Sequence, residues 1–497
     1  MRTERCCGVL LHPTSLPGPD GVGTLGDDAR RFVDLICAMG MSLWQVLPLT
    51  PPACGNSPYS SFSAFAGNPL LIDLDQIARE GDIPFREHYR RLPPEHADFA
   101  GIAESKPAVL RSAAATFLAA ERTPRKEEFW HFCNTTPWLH DYALFMALKR
   151  KYRGKSWIKW PRDAALLTSG VYEKASVELG VEIGAQKYMQ WQFFRQWGAL
   201  KVYAAERSVE LMGDLPIFVA YDSVDVWRNR RLFLLDEAGK PTAVAGVPPD
   251  YFSSTGQLWG NPLYDWNAME QDGFGWWVER FRHLFRMYDR VRVDHFRGFE
   301  AAWHVPVGHR TAMHGSWVPG PAESFFDAVS AAVGDLPIIA EDLGVITPQV
   351  ERLRDRYGFP GMKILQFAFG SGPGNPYLPH NHLRNCVVYT GTHDNDTTAG
   401  WAETLDADVR SDACAYLGGS GGELPDRMIG AAFMSVADTA VIPFQDLLGL
   451  PGTSRMNVPG TALGNWGWRF CWQELPRSLA AETRCRLERY GRNRRRP

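Results

Sequence analysis

The sequence predicts a (β/α)8 TIM barrel, with a large helical insertion after the second strand and a lid-like insertion after the third. Three observations predict this α/β fold: short apolar runs, helical segments between most of them, and polar residues where the runs end. Short apolar strands separated by helices are typical of a parallel sheet buried on both faces, and eight such units fit a closed barrel. The runs begin near residues 8, 42, 209, 290, 337, 361, 385 and 440.

The first two strands and the helix between them have clear boundaries. GVLL (8–11) and SLWQVLPL (42–49) are apolar runs, whereas DDARRFVDLICAMG (27–40) begins with acidic residues, repeats apolar residues at helical spacing and ends in glycine. The loop before this helix contains GVGTLG (21–26), which formally matches the dinucleotide-binding pattern GxGxxG. Its glycines lie too far beyond the strand for that fingerprint, so we interpret it as a loop that bends close to another part of the chain.

Two long stretches interrupt the alternation of strands and helices. Helical patterns replace the strand signal over 71–206, which predicts a mainly helical inserted subdomain. The stretch 221–266 contains a predicted hairpin and then the aromatic segment PPDYFSSTGQLWGNPLYDW (248–266), which has too little periodicity for a regular element. Long irregular loops in compact domains are usually functional, so we expect a lid that exposes Tyr251 and Trp259. Otherwise we expect one catalytic domain over 1–497, ending in a basic tail at 490–497.

The later strands end in polar residues. In RVRVD, Arg292 and Asp294 fall on one face of a strand, so the guanidinium can hold the carboxylate ionised. The segment ITPQVERLRDRYG predicts a helix with Thr347 as N-cap and Gly358 as its stop. The carboxyl ends of barrel strands line one mouth. The polar residues at these ends are His12, Asp214, Arg292, Asp294, His295, Glu341, His393 and Asp394.

Composition narrows the class of ligand. Lys and Arg number 53 against 56 Asp and Glu, so the net charge of -3 predicts no nucleic-acid partner and no membrane surface. No apolar run approaches the roughly 20 residues of a membrane span, and the N-terminal segment lacks a signal peptide. Nine scattered cysteines favour a reducing cytoplasm. The 18 Trp, 16 Tyr and 27 Phe favour a ligand with flat apolar faces and polar edges, such as sugar rings.

The acidic residues that end strands four, five and seven, Asp294, Glu341 and Asp394, could meet at the barrel mouth. Like charges in one pocket raise one pKa and leave another low, which places a proton donor beside an anion. Cleavage of a glycosidic bond needs that pair. A metal site formed by these carboxylates and His393 is the alternative, although Arg292 would compete with a cation.

Several long motifs resemble one enzyme family. The motifs are SPYSSFSAFAGNPLLIDL (57–74), GDLPIFVAYDSVDVW (213–227), PPDYFSSTGQLWGNPLYDW, RVDHFRG, IIAEDLG, GTHDND and GNWGWR (464–469). Over nearly the whole chain they resemble the 4-alpha-glucanotransferases called amylomaltases or disproportionating enzymes, within the alpha-amylase clan. The resemblance implies retaining cleavage of an alpha-1,4 bond in malto-oligosaccharides or alpha-glucans. The glucanosyl unit would pass to the 4-hydroxyl of another glucan or glucose through a covalent intermediate, with no cofactor and no metal.

The resemblance also implies a role for each matching residue. Asp294 would be the nucleophile, Glu341 the acid and base, and Asp394 the transition-state stabiliser. The implied substrate contacts are Arg292, His295, His393, Tyr59, Asp214, Asp250, Tyr251, Phe252, Trp259 and Asn465. Where many relatives carry Tyr and Asp, this chain carries Cys54 and Asn56.

Two other functions fit the same residues. An alpha-glucan hydrolase would share the carboxylates and differ only in admitting water to the intermediate. A non-catalytic glucan-binding protein would not need all of the carboxylates. For the transferase we expect a cytoplasmic monomer or weak homo-oligomer.

Overall fold

A parallel barrel is the centre of the structure, a computed structural model that describes residues 5–53, 55–84, 96–121, 123–168, 170–249 and 253–493. Its strands are β1 (Cys6–Leu10), β2 (Leu43–Gln45), β3 (Glu210–Pro216), β6 (Arg290–Asp294), β9 (Ile338–Ala340), β10 (Gly361–Ile364), β11 (Cys386–Tyr389) and β12 (Thr439–Pro443). Among the described residues these eight form one sheet, in the order β10-β11-β12-β1-β2-β3-β6-β9. The Ala340 N–H donates to the Pro360 carbonyl at 2.9 Å, which brings the two edge strands together. The predicted barrel is therefore confirmed.

The barrel strands pack closely enough to restrict their residues. Gly8 of β1 pairs with Leu43 of β2, and a Cβ on Gly8 would lie 2.6 Å from the Leu43 Cβ. No larger residue fits there without movement of a strand. Val9, Leu43 and Val291 have no exposed surface, as expected for strands covered on both faces.

The helices surround the barrel and fill the interval between β2 and β3. They are α1 (Asp27–Ala38), α2 (Leu74–Arg79), α3 (Phe99–Ala119), α4 (Pro124–Thr135), α5 (Leu139–Lys151), α6 (Arg162–Leu166), α7 (Val171–Glu178), α8 (Gly180–Glu206), α9 (Val224–Arg228), α10 (Trp266–Gln271), α11 (Gly275–Met287), α12 (Ala322–Val333), α13 (Pro348–Arg356), α14 (Thr398–Thr404), α15 (Ala407–Leu417), α16 (Leu424–Met434), α17 (Phe444–Leu447) and α18 (Leu479–Arg489). Helices α2 to α8 fall in the stretch 71–206; the division into subdomains stays a prediction. Helix α13 begins after Thr347 as predicted, but the Thr347 side chain makes no capping hydrogen bond.

A second, antiparallel sheet corrects one expectation about the aromatic segment. It consists of β4 (Ala243–Val247), β5 (Gln257–Pro262), β7 (Ala301–Pro306) and β8 (Ser316–Pro319), in the order β5-β4-β7-β8. The sequence pattern indicated no regular element at β5, and that interpretation is wrong. The strand is partly exposed and lies at a sheet edge, so its residues need not alternate between apolar and polar. Trp259 directly follows Leu258, which pairs with Gly246 of β4.

The glycine-rich loop before α1 bends close to its neighbours, as predicted. A Cβ on Gly23 would lie 2.0 Å from the Pro13 carbonyl oxygen, and one on Gly26 would lie 2.1 Å from an Asp73 carboxylate oxygen. These glycines therefore allow close approach of backbone and side chains within the chain itself. Within the described ranges, no helix is long and apolar enough to cross a membrane.

Candidate active site

Arg292 lies at the centre of a chain of hydrogen bonds at the barrel mouth. Its Nη2 donates to Asp294 Oδ1 at 2.7 Å, and its Nη1 donates to the two oxygens of Asp214 at 2.9 and 2.7 Å. The Tyr59 hydroxyl donates to Asp214 Oδ2 at 2.6 Å. Burial lowers the pKa of Arg292, but Asp214 and Asp294 together raise it well above its usual value. The guanidinium therefore stays charged and holds both carboxylates in place.

Asp214, which the sequence predicts as a sugar contact, is bound to the Arg292 guanidinium. Its side chain has 0% exposure, and both of its oxygens accept hydrogen bonds from Arg292. Asp214 therefore holds Arg292 and Tyr59 in place. A direct contact between Asp214 and the substrate stays a prediction.

Glu341 follows β9 and is fixed by two backbone groups. The His295 N–H donates to Glu341 Oε2 at 2.7 Å, and the Leu343 N–H donates to Oε1 at 3.1 Å. Burial, and then the charge of Asp294, raise the pKa of Glu341 to about 8. Because His295 directly follows Asp294 in the chain, this contact ties a protonated carboxyl to the backbone beside the Arg292-bound carboxylate.

Asp294 is the member of this pair that can ionise. Burial raises its pKa, while Arg292 opposes the rise by charge. Its side chain keeps 31% exposure, so solvent also moderates the effect of burial. The proton of the pair therefore belongs on Glu341, and the anion on Asp294.

Asp394 lies in the loop after β11, with 46% of its side chain exposed. Asn457 Nδ2 donates to Asp394 Oδ1 at 2.5 Å, and His393 Nε2 lies 3.4 Å from the same oxygen. The neighbouring His393 stacks on Tyr59, whose hydroxyl donates to Asp214, so the Asp394 loop lies beside the Arg292 network. The sequence did not single out Asn457.

A small aromatic cluster forms one wall of the cleft. The Tyr59 ring stacks on His393, with centroids 5.1 Å apart and planes 14° apart. Trp466 packs beside them, with its centroid 6.1 Å from Tyr59 and 5.9 Å from His393. Its φ of 66° is rare for a bulky residue and is typical of a backbone held by its surroundings at a functional site. Trp466 was also missed, although the motif GNWGWR flanks it with glycines.

His295 and Trp259 form a second aromatic contact, beside Glu341. Trp259 is 39% exposed, as expected, and its ring meets that of His295 edge to face at 4.8 Å. Burial lowers the pKa of His295 to about 3, so the imidazole is neutral. The other predicted lid residues, Asp250, Tyr251 and Phe252, lie outside the described residues, as does Cys54.

Asn465 stabilises a loop through its own hydrogen bonds. Its Oδ1 accepts from the Val458 N–H at 3.0 Å, and its Nδ2 donates to the Thr461 carbonyl and hydroxyl at 3.0 Å each. These bonds brace the turn that leads to Trp466. A direct sugar contact of Asn465 stays a prediction.

Comparisons with known proteins relate the whole chain to one family. A family model described as 4-alpha-glucanotransferase matches residues 11–474. The 4-alpha-glucanotransferase of Synechocystis sp. is 48% identical over 500 residues, which cover 99% of each chain. That of Thermus thermophilus is 46% identical over 496 residues, 98% of each. A solved amylomaltase from Streptococcus agalactiae, in complex with acarbose, superposes with a TM-score of 0.96 at 39% identity and covers 99% of this chain and 100% of its own.

Proposed function

This chain belongs to the 4-alpha-glucanotransferase family and has that transferase activity, and from this premise we propose which residues perform the reaction. Asp294 attacks the anomeric carbon of an alpha-1,4-linked donor while Glu341 gives its proton to the departing glycosidic oxygen. A bond between Asp294 and the sugar forms as the bond to the leaving glucan breaks. Glu341, now ionised, takes the proton of an acceptor 4-hydroxyl, and that oxygen displaces Asp294 from the sugar.

One observation supports this assignment most strongly. Glu341 accepts the N–H of the residue that follows Asp294, at 2.7 Å, and its pKa of about 8 keeps it protonated at neutral pH. Retaining enzymes hold their two carboxyl groups about 5 to 5.5 Å apart, so one of them must act as the nucleophile. Arg292 supplies the positive charge that keeps Asp294 ionised for this attack.

The cleft walls support roles for the remaining site residues. Asp394 accepts hydroxyls of the reacting ring and stabilises its distorted form, while Tyr59 and His393 present a stacked aromatic edge to the sugar. Trp259, which is exposed above His295, excludes water from the covalent intermediate until an acceptor binds. We include Asp250, Tyr251 and Phe252 in the same lid, on the resemblance alone.

Hydrolysis is the alternative outcome of the same chemistry, because water could replace the acceptor hydroxyl. We place the protein in the cytoplasm as a monomer or weak homo-oligomer. The described cysteines are free thiols, which a reducing compartment maintains.

Incubation with maltotriose alone distinguishes these outcomes. Transfer predicts longer and shorter oligomers at a constant number of reducing ends. Asp294→Asn should form neither the longer nor the shorter oligomers. Asp426→Asn is the matched control, since Asp426 forms a surface ion pair with Arg486 at 2.5 Å. A steady rise in reducing ends would show a hydrolase and would contradict the role of the lid. No change with the unaltered chain, on maltotriose and on longer glucans, would indicate a binding protein.

A further inference from the structure

The segment that follows the last barrel strand encloses the loop of Asp394. Arg455 Nη2 donates to the Asp394 carbonyl at 2.6 Å, and the Asn457 N–H donates to the His393 carbonyl at 3.1 Å. Arg455 Nε also donates to the Asn457 carbonyl at 2.7 Å, so the two residues are tied together. The Trp466 N–H then donates to the Met456 carbonyl at 2.7 Å. The backbone around Asp394 is thus held by the Arg455 side chain and by the main chain of Asn457.

The Asp394 carboxylate needs a separate constraint, because 46% of its side chain is exposed and burial alone does not fix its rotamer. Asn457 Nδ2 supplies it by donating to Oδ1 at 2.5 Å. Within the described part of the chain, Oδ2 has no hydrogen-bond donor. One oxygen is therefore fixed by the protein, and the partly exposed side chain leaves the other available to a ligand.

We propose that Asn457 is a positioning residue for the transfer reaction: it holds Asp394 Oδ1 so that Oδ2 meets the hydroxyls of the distorted sugar ring. This inference rests on the proposed role of Asp394. The amide suits the task because it donates a hydrogen bond without adding a charge that would compete with Asp294 or Glu341. A lysine in its place would neutralise the anion, and an aspartate would repel it.

Substitution of Asn457 should affect the rate more than the fold. Its main-chain bonds to His393 and Arg455 persist whatever the side chain, so only the bond to Asp394 is lost. Loss of a hydrogen bond to a charged group corresponds to a decrease in reaction rate of roughly 10- to 100-fold. Because the distorted ring is bound most tightly in the transition state, we expect this loss in kcat, with KM changed less.

A double-mutant cycle with Asp394→Ala tests the proposal on the full-length chain with maltotriose as donor. Asn457→Ala should lower kcat roughly 10- to 100-fold alone, and should cause no further loss when Asp394 is already alanine. Asn385→Ala is the matched control: Asn385 precedes β11 at the end opposite to Asp394, and its side chain donates to the Gly358 carbonyl at 3.0 Å. The control should keep the parent kcat.

The outcomes separate this inference from the proposed function. If Asp394→Ala lowers kcat and Asn457→Ala keeps the parent kcat, the inference is wrong and the proposed function stands. If Asn457→Ala lowers kcat equally whether residue 394 is aspartate or alanine, its effect is structural and the inference is also wrong. If Asp394→Ala keeps the parent rate, the role of Asp394 fails and the inference fails with it. Asn457→Asp keeps the shape without the donor, so full activity of that variant would also refute the proposal.

Discussion

Substitution of Asp214 by asparagine tests whether the buried network or a sugar contact explains this residue. Asparagine keeps the shape of the side chain but removes the negative charge that lies 2.7 Å from Arg292. It also replaces one carboxylate oxygen by an amide nitrogen, which cannot accept a hydrogen bond from Arg292 or from the Tyr59 hydroxyl. Breaking a buried ion pair from one side costs about 3–5 kcal/mol. Arg292 retains Asp294 as a second partner at 2.7 Å, so we expect the lower end of that range, about 3 kcal/mol of unfolding free energy.

The same substitution has a predictable effect on the pH dependence of transfer. The negative charge of Asp214 raises the pKa of Asp294, so its removal should lower that pKa. Activity requires ionised Asp294 and is lost as pH falls through its pKa. The acid limb of the rate profile should therefore move to lower pH.

Urea unfolding and a pH series with maltotriose measure both effects. Asp426→Asn serves as control, since an exposed ion pair contributes about 0–1 kcal/mol. If Asp214→Asn has the same free energy of unfolding as the control variant and its KM alone rises, Asp214 is a sugar contact and the network interpretation is wrong. An acid limb that moves to higher pH would contradict the electrostatic reasoning.

Two further predictions concern the acid and the lid. The transfer rate should fall as pH rises through about 8, where Glu341 loses its proton. Glu341→Gln should lower the rate roughly 10²- to 10⁴-fold at all pH values. A parent rate that does not change with pH on the alkaline side would refute this role of Glu341. Trp259→Ala should raise the share of maltotriose that is hydrolysed, measured by reducing ends, because water gains access to the intermediate. Trp130→Ala, at another exposed indole, should leave that share unchanged.

The barrel and its acidic residues could be predicted because both depend on local patterns. A strand covered on two faces is apolar along its length, and its polar end residues lie at one mouth whenever the strands are parallel. Arg292 and Asp294 share a face of β6 for the same reason, since side chains alternate along a strand. The 2.7 Å contact between them was therefore expected.

The supporting residues depend on contacts between distant parts of the chain. Asn457 lies 63 residues beyond Asp394, and Tyr59 lies 155 residues before Asp214. No local pattern indicates which strand-end carboxylate will be covered by such a partner, so the sequence did not show that Asp214 holds Arg292 and Tyr59. Likewise β5 takes its conformation from its pairing with β4, and a partly exposed edge strand carries little apolar alternation.

The most direct test of the mechanism is to trap the covalent intermediate. Glu341→Gln, which retains the nucleophile but cannot activate an acceptor, is mixed with an alpha-maltosyl fluoride, whose leaving group needs no proton. Peptide mass spectrometry after acid quenching should find one glucanosyl unit on the peptide that contains Asp294, and none when Asp294 is also changed to asparagine. A unit attached at Asp394, or turnover to the inverted beta product without any adduct, would contradict the account.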